Sequence, residues 1–225
     1  MNSAQKTSAG QSLGSLAVSI PGATAVFRRL KLDFCCGGQQ SLQEACATKS
    51  LDLKSVVQEI EALQTLESAP SQPSAPELID HILRRYHEVH RQQLPELIRM
   101  ARRVEAVHRD HPMVPQGLAD HLEVMEQELL DHMGKEEQIL FPILREGGHP
   151  MAVHPIGVMR HEHVSHGAQI ERLATLAHQH RPPEEACNTW RALYAGTQRL
   201  TDDLMEHIHL ENNVLFPRFE ATHAH

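Results

Sequence analysis

The chain has 225 residues, 21 Lys and Arg against 29 Asp and Glu, and a formal net charge of −8. That length accommodates one ordinary domain with an appendage, or two small domains, and is enough to bury a core. The acidic balance argues against a nucleic-acid binder, which needs clustered Lys and Arg. The Arg pairs at 28–29, 84–85 and 102–103 are isolated and read as solvated helix faces. No apolar run reaches membrane-span length, and the opening "MNSAQKTSAGQSLG" lacks the basic-then-apolar layout of a signal peptide, so a cytoplasmic protein is expected. Four cysteines, two of them adjacent, do not make a secreted disulfide framework. Eighteen histidines stand out beside one Trp, two Tyr and five Phe. Imidazole is the commonest metal ligand, so the composition points to a metal protein.

In chain order, helical spacing is present at 13–19 and again in "PGATAVFRRL", where Pro21 suits a first helical position. "DFCCGGQQS" reads as a turn and is followed by amphipathic stretches near 41–48 and 52–66. Residues 1–66 are therefore expected to form a small helical module. "ESAPSQPSAP", at 67–76, is a Pro/Ser/Ala linker. After it come four long helical patterns, at about 76–109, 116–145, 155–180 and 184–219, separated by "HPMVPQG", "REGGHP" and "RPPEE". No convincing period-two alternation is present. The expected class is all-α, an up-down-up-down four-helix bundle over 77–225. Pro95, Pro142 and Pro217 are expected to kink or end their helices.

The strongest signal is an internal duplication. "DHMGKEEQILFP" (131–142) and "EHIHLENNVLFP" (206–217) place His132 and Glu136 over His207 and Glu211 at a constant offset of 75. A spacing of four puts each His and its Glu on one helix face, one turn apart. His87 lies 45 residues before His132, and His163 lies 44 before His207, each on the preceding helix. One His-x-x-x-Glu is usually a surface pair; two copies with matched partners point to a metal site. Four imidazoles and two carboxylates are too many for a closed tetrahedral zinc site. They suit two metal ions bridged by Glu136 and Glu211, with an oxo or hydroxo bridge adding to the coordination; the mixed donors favour iron or manganese, and iron is expected. His90 and His166 follow the upstream histidines by three and remain alternative ligands or hydrogen-bond partners. Glu128 and Asp203, one turn before His132 and His207, are placed to orient an imidazole or remain solvated. Glu137 and Glu162 receive no role. Cys35 and Cys36 would sit exposed near a helix amino terminus, where thiolates are favoured and bind soft ligands, or simply fill a turn. Cys46 and Cys187 read as small helix residues.

The segments "SIPGATAVFRRLKLDFCCGG", "IDHILRRYHEVHRQQLPEL", "HMGKEEQILFP" and "DDLMEHIHLENNVLFP" resemble the iron–sulfur cluster repair di-iron proteins, which have a hemerythrin-like fold. The resemblance covers nearly everything after residue 11. It implies a non-haem di-iron centre ligated by His87, His132, Glu136, His163, His207 and Glu211, which favours His87 over His90 and His163 over His166. It also implies a part in restoring iron–sulfur clusters damaged by nitrosative or oxidative stress, with damaged iron–sulfur proteins as clients. Iron donation and reduction of nitric oxide to nitrous oxide are both open to such a centre, so its standing as an enzyme is left open. A redox or iron-transfer role for Cys35 and Cys36 is then the expectation. The competing reading is a hemerythrin-like module that binds dioxygen or nitric oxide without turnover. The linker would allow a homodimer in which one chain's module meets another chain.

Overall fold

The computed structural model describes residues 8–64 and 73–220, which contain helices, turns and one isolated bridge between Ser12 and Ser41 but no strand. Most of the expected linker lies outside the described residues. Two compact units are present. One comprises the described residues up to Pro73 together with those from Ile208 onward, and the other is Ser74–His207. The dividing line falls inside a continuous helix.

In the first unit, α1 (Leu13–Ser19), α2 (Ala23–Arg29), α3 (Leu42–Thr48) and α4 (Leu53–Gln64) bury Leu13, Leu16, Phe27, Phe34, Leu42 and Ile60. Each such side chain contributes about 1.5–3 kcal/mol relative to exposure. Local signals start the helices. Ser12 accepts from the Ser15 N–H at 3.2 Å, and Ser41 and Glu44 form a reciprocal capping box. Pro21 does not open α2, contrary to expectation. Gly22 at φ +86° turns the chain first, and the helix begins at Ala23. The end of the last long helix belongs to this unit. Asn212 Nδ2 donates to the Cys35 carbonyl and Asn213 Nδ2 to the Phe34 carbonyl, each at 3.1 Å. A Cβ on Gly38 would lie 2.6 Å from the Phe34 carbonyl oxygen, so only glycine permits this approach.

The second unit is built on four long helices. The first, α5, runs 75–107 and starts at a capping box between Ser74 and Glu77. The second, α6, runs 118–145; α7 is Val153–Leu176; and α8 runs 188–215, with a short Pro217–Glu220 turn beyond it. Trp190, Leu193, Tyr194 and Leu200 of α8 are buried, as are Leu94, Leu97, Ala101 and Val104 of α5. This is the spacing of three and four that a core-facing stripe requires. Gly196 has its ideal Cβ position 2.5 Å from Leu97 Cδ2, a close helix approach at which a larger residue would have to displace the Leu97 side chain. Among the described residues no helix is long and apolar enough to cross a membrane.

Three helices contain π-helical turns, none of them foreseen: Leu83–His87, Glu136–Leu140 and Leu210–Leu215. Their carbonyls bond to the amide five residues on, as in Phe141 N–H to the Glu136 carbonyl and Phe216 N–H to the Glu211 carbonyl. Each of the later turns ends two residues before a proline, Pro142 or Pro217, whose ring would crowd an ordinary preceding turn. Pro142 and Pro217 therefore stand beside a change of helix geometry, while Pro95 remains inside the unbroken helix Glu88–Val107. Single π turns inside α-helices concentrate at functional sites.

Candidate metal centre

Each π turn carries one of the anticipated ligands. His87 closes the first, Glu136 opens the second, and Glu211 lies in the third, one turn beyond His207 on α8. The six side chains are almost wholly buried: His87, Glu136, His163 and Glu211 at 0% exposure, His132 and His207 at 1%. They gather in two overlapping groups, His87–Glu136–His207–Glu211 and His132–Glu136–His163–Glu211, with donor atoms within 4.8 Å of one another in each. Both carboxylates belong to both groups. Glu136 Oε2 lies 3.4 Å from His87 Nε2 and 3.6 Å from His132 Nε2, between the two halves.

The imidazoles face each other in pairs. His87 Nε2 stands 3.1 Å from His207 Nε2, and His163 Nε2 stands 3.0 Å from His132 Nε2. Two nitrogens held about 2.1 Å from one ion at right angles lie about 3 Å apart, so both pairs suit a shared cation. Burying two carboxylates among imidazoles costs several kcal/mol unless a positive charge offsets it. The donor set thus fits metal ions on chemistry, spacing and burial. His90 and His166 are buried as well, at 0% and 3% exposure, but belong to neither group. The upstream members of the groups are His87 and His163.

Two carboxylates to which the sequence assigned no role, Glu137 and Glu162, orient the site. Glu137 Oε1 lies 2.8 Å from His87 Nδ1 and takes a second bond from Arg91 at 2.7 Å. Glu162 Oε2 lies 2.8 Å from His132 Nδ1, and its other oxygen accepts from Lys135 at 2.7 Å. A carboxylate only accepts, so both Nδ1 atoms carry the hydrogen and both Nε2 atoms present lone pairs to the centre. Partial burial pushes the Glu137 carboxyl up, but the bonds to His87 and Arg91 win and hold it below the usual range. Spacing could not reveal these residues. Each adjoins a ligand in sequence but serves a histidine on another helix, and Glu137 has Asn212 at the equivalent place in the repeat.

The carboxylates expected in that role do other things. Asp203 takes a bidentate pair of bonds from Arg85 at 2.6 and 3.2 Å. The Arg85 guanidinium lies 4.9 Å from the ring centre of Tyr86, which stacks parallel on His207 at 5.4 Å. Asp203 thus braces His207 through a stack. Glu128 is exposed and accepts from the side-chain amide of Gln169, which meets His166.

The cysteine pair is also corrected. Cys35 and Cys36 lie in a bend, and the next helix starts only at Leu42, so no helix terminus activates them. Cys35 is buried at 4% exposure rather than exposed. Its thiol is pushed well above its ordinary value by the hydrogen bond with Cys36, by burial, and by the charges of Cys36 and Asp33. The Asp33 carboxylate accepts from the amides of Cys35 (3.2 Å), Cys36 (2.9 Å) and Gly37 (2.9 Å), and from the Cys35 thiol at 3.3 Å. Neither cysteine is in a disulfide; their Sγ atoms lie 3.6 Å apart, and with Asp33 they form a third potential cation-binding group. Cys46 lies in α3, whereas Cys187 is exposed just before α8.

Comparison with known proteins places this geometry. The Hemerythrin HHE cation binding domain matches residues 78–219, and a domain of unknown function, ScdA_N (DUF542), matches 9–64. The chain is 50% identical over 210 residues to the iron-sulfur cluster repair protein YtfE of Citrobacter koseri, covering 92% of this chain and 96% of that protein. The protein of the same name from Dickeya chrysanthemi is 51% identical over 211 residues, with the same coverage. That of Escherichia coli O17:K52:H18 is 50% identical over 210 residues, again covering 92% and 96%. With two buried His/Glu groups sharing both carboxylates and this similarity along nearly its whole length, the chain belongs to the hemerythrin-type family of iron–sulfur cluster repair proteins.

Proposed function

We propose that this protein restores damaged iron–sulfur clusters in the cytoplasm, using two non-haem iron ions held in the bundle. His87 and His207 would hold one ion, His132 and His163 the other, and Glu136 and Glu211 would bridge them, with room for an oxo or hydroxo bridge. The observation that carries the reading is the sharing of both glutamates between the two histidine pairs. A site built for one cation has no use for that sharing.

The chain's own residues favour labile iron. No thiolate is among the six donors, and imidazole with carboxylate holds iron less tightly than sulfur does. Glu137 and Glu162 fix the tautomers, so the nitrogens are ready to ligate without rearrangement. Two ferrous ions held by these residues would supply the two electrons that conversion of two nitric oxide molecules to nitrous oxide and water requires together with two protons. Release of iron to a client protein is the other route. Cys36, the more accessible of the thiols beside Asp33, is the group we assign to receiving or passing on iron; Cys35 is too deeply buried. In this reading residues 1–66 form the cysteine module and 77–225 the iron-holding bundle.

The test is iron content after anaerobic purification, for the native chain and for Glu136→Ala combined with Glu211→Ala. About two irons per chain, lost in the double variant, are expected. One zinc per chain, or iron unaffected by the double change, refutes the bridged centre. Nitric oxide with a reductant, followed by gas analysis, then separates turnover from binding. Transfer of labelled iron to a cluster-depleted ferredoxin measures donation.

A further inference from the structure

Gln169 stands between Glu128 and His166, and the carboxylate decides which way its amide faces. A carboxylate only accepts, so the amide nitrogen of Gln169 donates to Glu128 Oε2, and its Oε1 faces His166 Nδ1 at 3.3 Å. That amide oxygen also only accepts, so Nδ1 of His166 must carry the ring hydrogen. The ring is 3% exposed, and an imidazole with its single hydrogen on Nδ1 carries none on Nε2. Nε2 therefore presents a lone pair, and it has no hydrogen-bond partner among the described residues. The ring stands edge-on to His132 with centres 4.9 Å apart, one turn after His163 on α7.

We propose that His166 is a built-in hydrogen-bond acceptor for a small ligand at the metal centre, and that Gln169, oriented by Glu128, holds it in the accepting tautomer. This deepens the function proposed above and rests on that reading. The ligands so favoured carry a hydrogen: water, hydroxide, hydroperoxide or nitroxyl. Ligands that present only lone pairs, such as azide, meet a lone pair and are disfavoured. His166 is thus a positioning and specificity residue, acting on what binds rather than on the metal.

The experiment is azide titration of the full-length, iron-loaded, oxidised protein, followed by absorption, with iron content measured on the same samples. His166→Phe removes the lone pair. Gln169→Leu leaves the ring but frees its tautomer, so that Nε2 can donate to azide. The expected result is unchanged iron and at least tenfold tighter azide binding in both variants. Tightening is a gain that general damage to the fold does not produce. Azide affinity unchanged or weakened in both variants, with iron retained, overturns the proposal. Loss of iron in His166→Phe overturns it differently, by making His166 a ligand. A native chain that binds no iron removes the centre and this proposal with it, and is told apart at once because it precedes any comparison of variants.

Discussion

Replacing Glu137 tests whether the carboxylates that orient the histidines hold metal affinity or merely decorate the bundle. His87 Nδ1 donates to Glu137 at 2.8 Å, and Arg91 donates to the same oxygen at 2.7 Å. A hydrogen bond to an ionised partner contributes about 1.5–3 kcal/mol, roughly twice a neutral one. The Glu137 side chain is 30% exposed, which places this bond at the lower end. Glu137→Gln keeps an accepting oxygen but loses the charge. It should cost about 1 kcal/mol, roughly fivefold in iron affinity. Glu137→Leu loses the bond altogether and frees the tautomer of His87, so a fall of about 10–100-fold is expected. The assay is anaerobic competition for ferrous iron against a coloured chelator. Urea unfolding of the metal-free protein should change by less than about 1 kcal/mol, because the Arg91–Glu137 pair is partly exposed. Iron affinity of Glu137→Leu within twofold of native, or no lower than that of the exposed control Glu96→Gln, would refute the reasoning.

Other consequences are measurable with the same protein. Ser74→Ala removes one half of the capping box that starts α5 and should cost about 0.5–2 kcal/mol in thermal unfolding, a shift of a few degrees. Glu77, the other half, has its carboxyl held below its ordinary 4.5 by the Ser74 hydroxyl. Its stabilising contribution is therefore present above about pH 4.5 and fades as pH falls through the depressed folded value; Glu77→Gln should flatten that part of the stability–pH curve. Gly38→Ala drives a methyl into the Phe34 carbonyl and should destabilise by about 1–3 kcal/mol, since backbone cannot step aside as a side-chain tip can. Under iodoacetamide, mass-spectrometric mapping should find Cys36 and Cys187 modified well before Cys35 and Cys46, whose thiols are buried and shifted upward. Early modification of Cys35 would contradict its placement.

The amino-acid sequence by itself marked the helices and the candidate donors. Both depend on local geometry: a stripe at spacings of three and four makes a core-facing helix, and a His four residues before a Glu puts two donors on one face whatever lies opposite. Repetition at an offset of 75 was therefore enough to single out His132, Glu136, His207 and Glu211 and to narrow their upstream partners to His87 or His90 and His163 or His166, of which the fold gathers His87 and His163. Tertiary structure alone decided what surrounds them. Glu137 and Glu162 reach histidines on other helices, so no spacing along one helix could mark them, while Glu128 and Asp203, correctly phased by spacing, were drawn to Gln169 and Arg85. The π turns at His87, Glu136 and Glu211 were equally hidden, because one extra residue in a turn leaves the hydrophobic pattern almost unchanged. Cys35 looked exposed because the Gly37–Gly38 pair that follows the cysteines reads as a tight turn. Its burial instead follows from Phe34 entering the core and Asn212 capping the Cys35 carbonyl from a segment 177 residues away. The candidate donors are written in periodicity, whereas orientation, tautomer and thiol access depend on contacts between segments far apart in the chain.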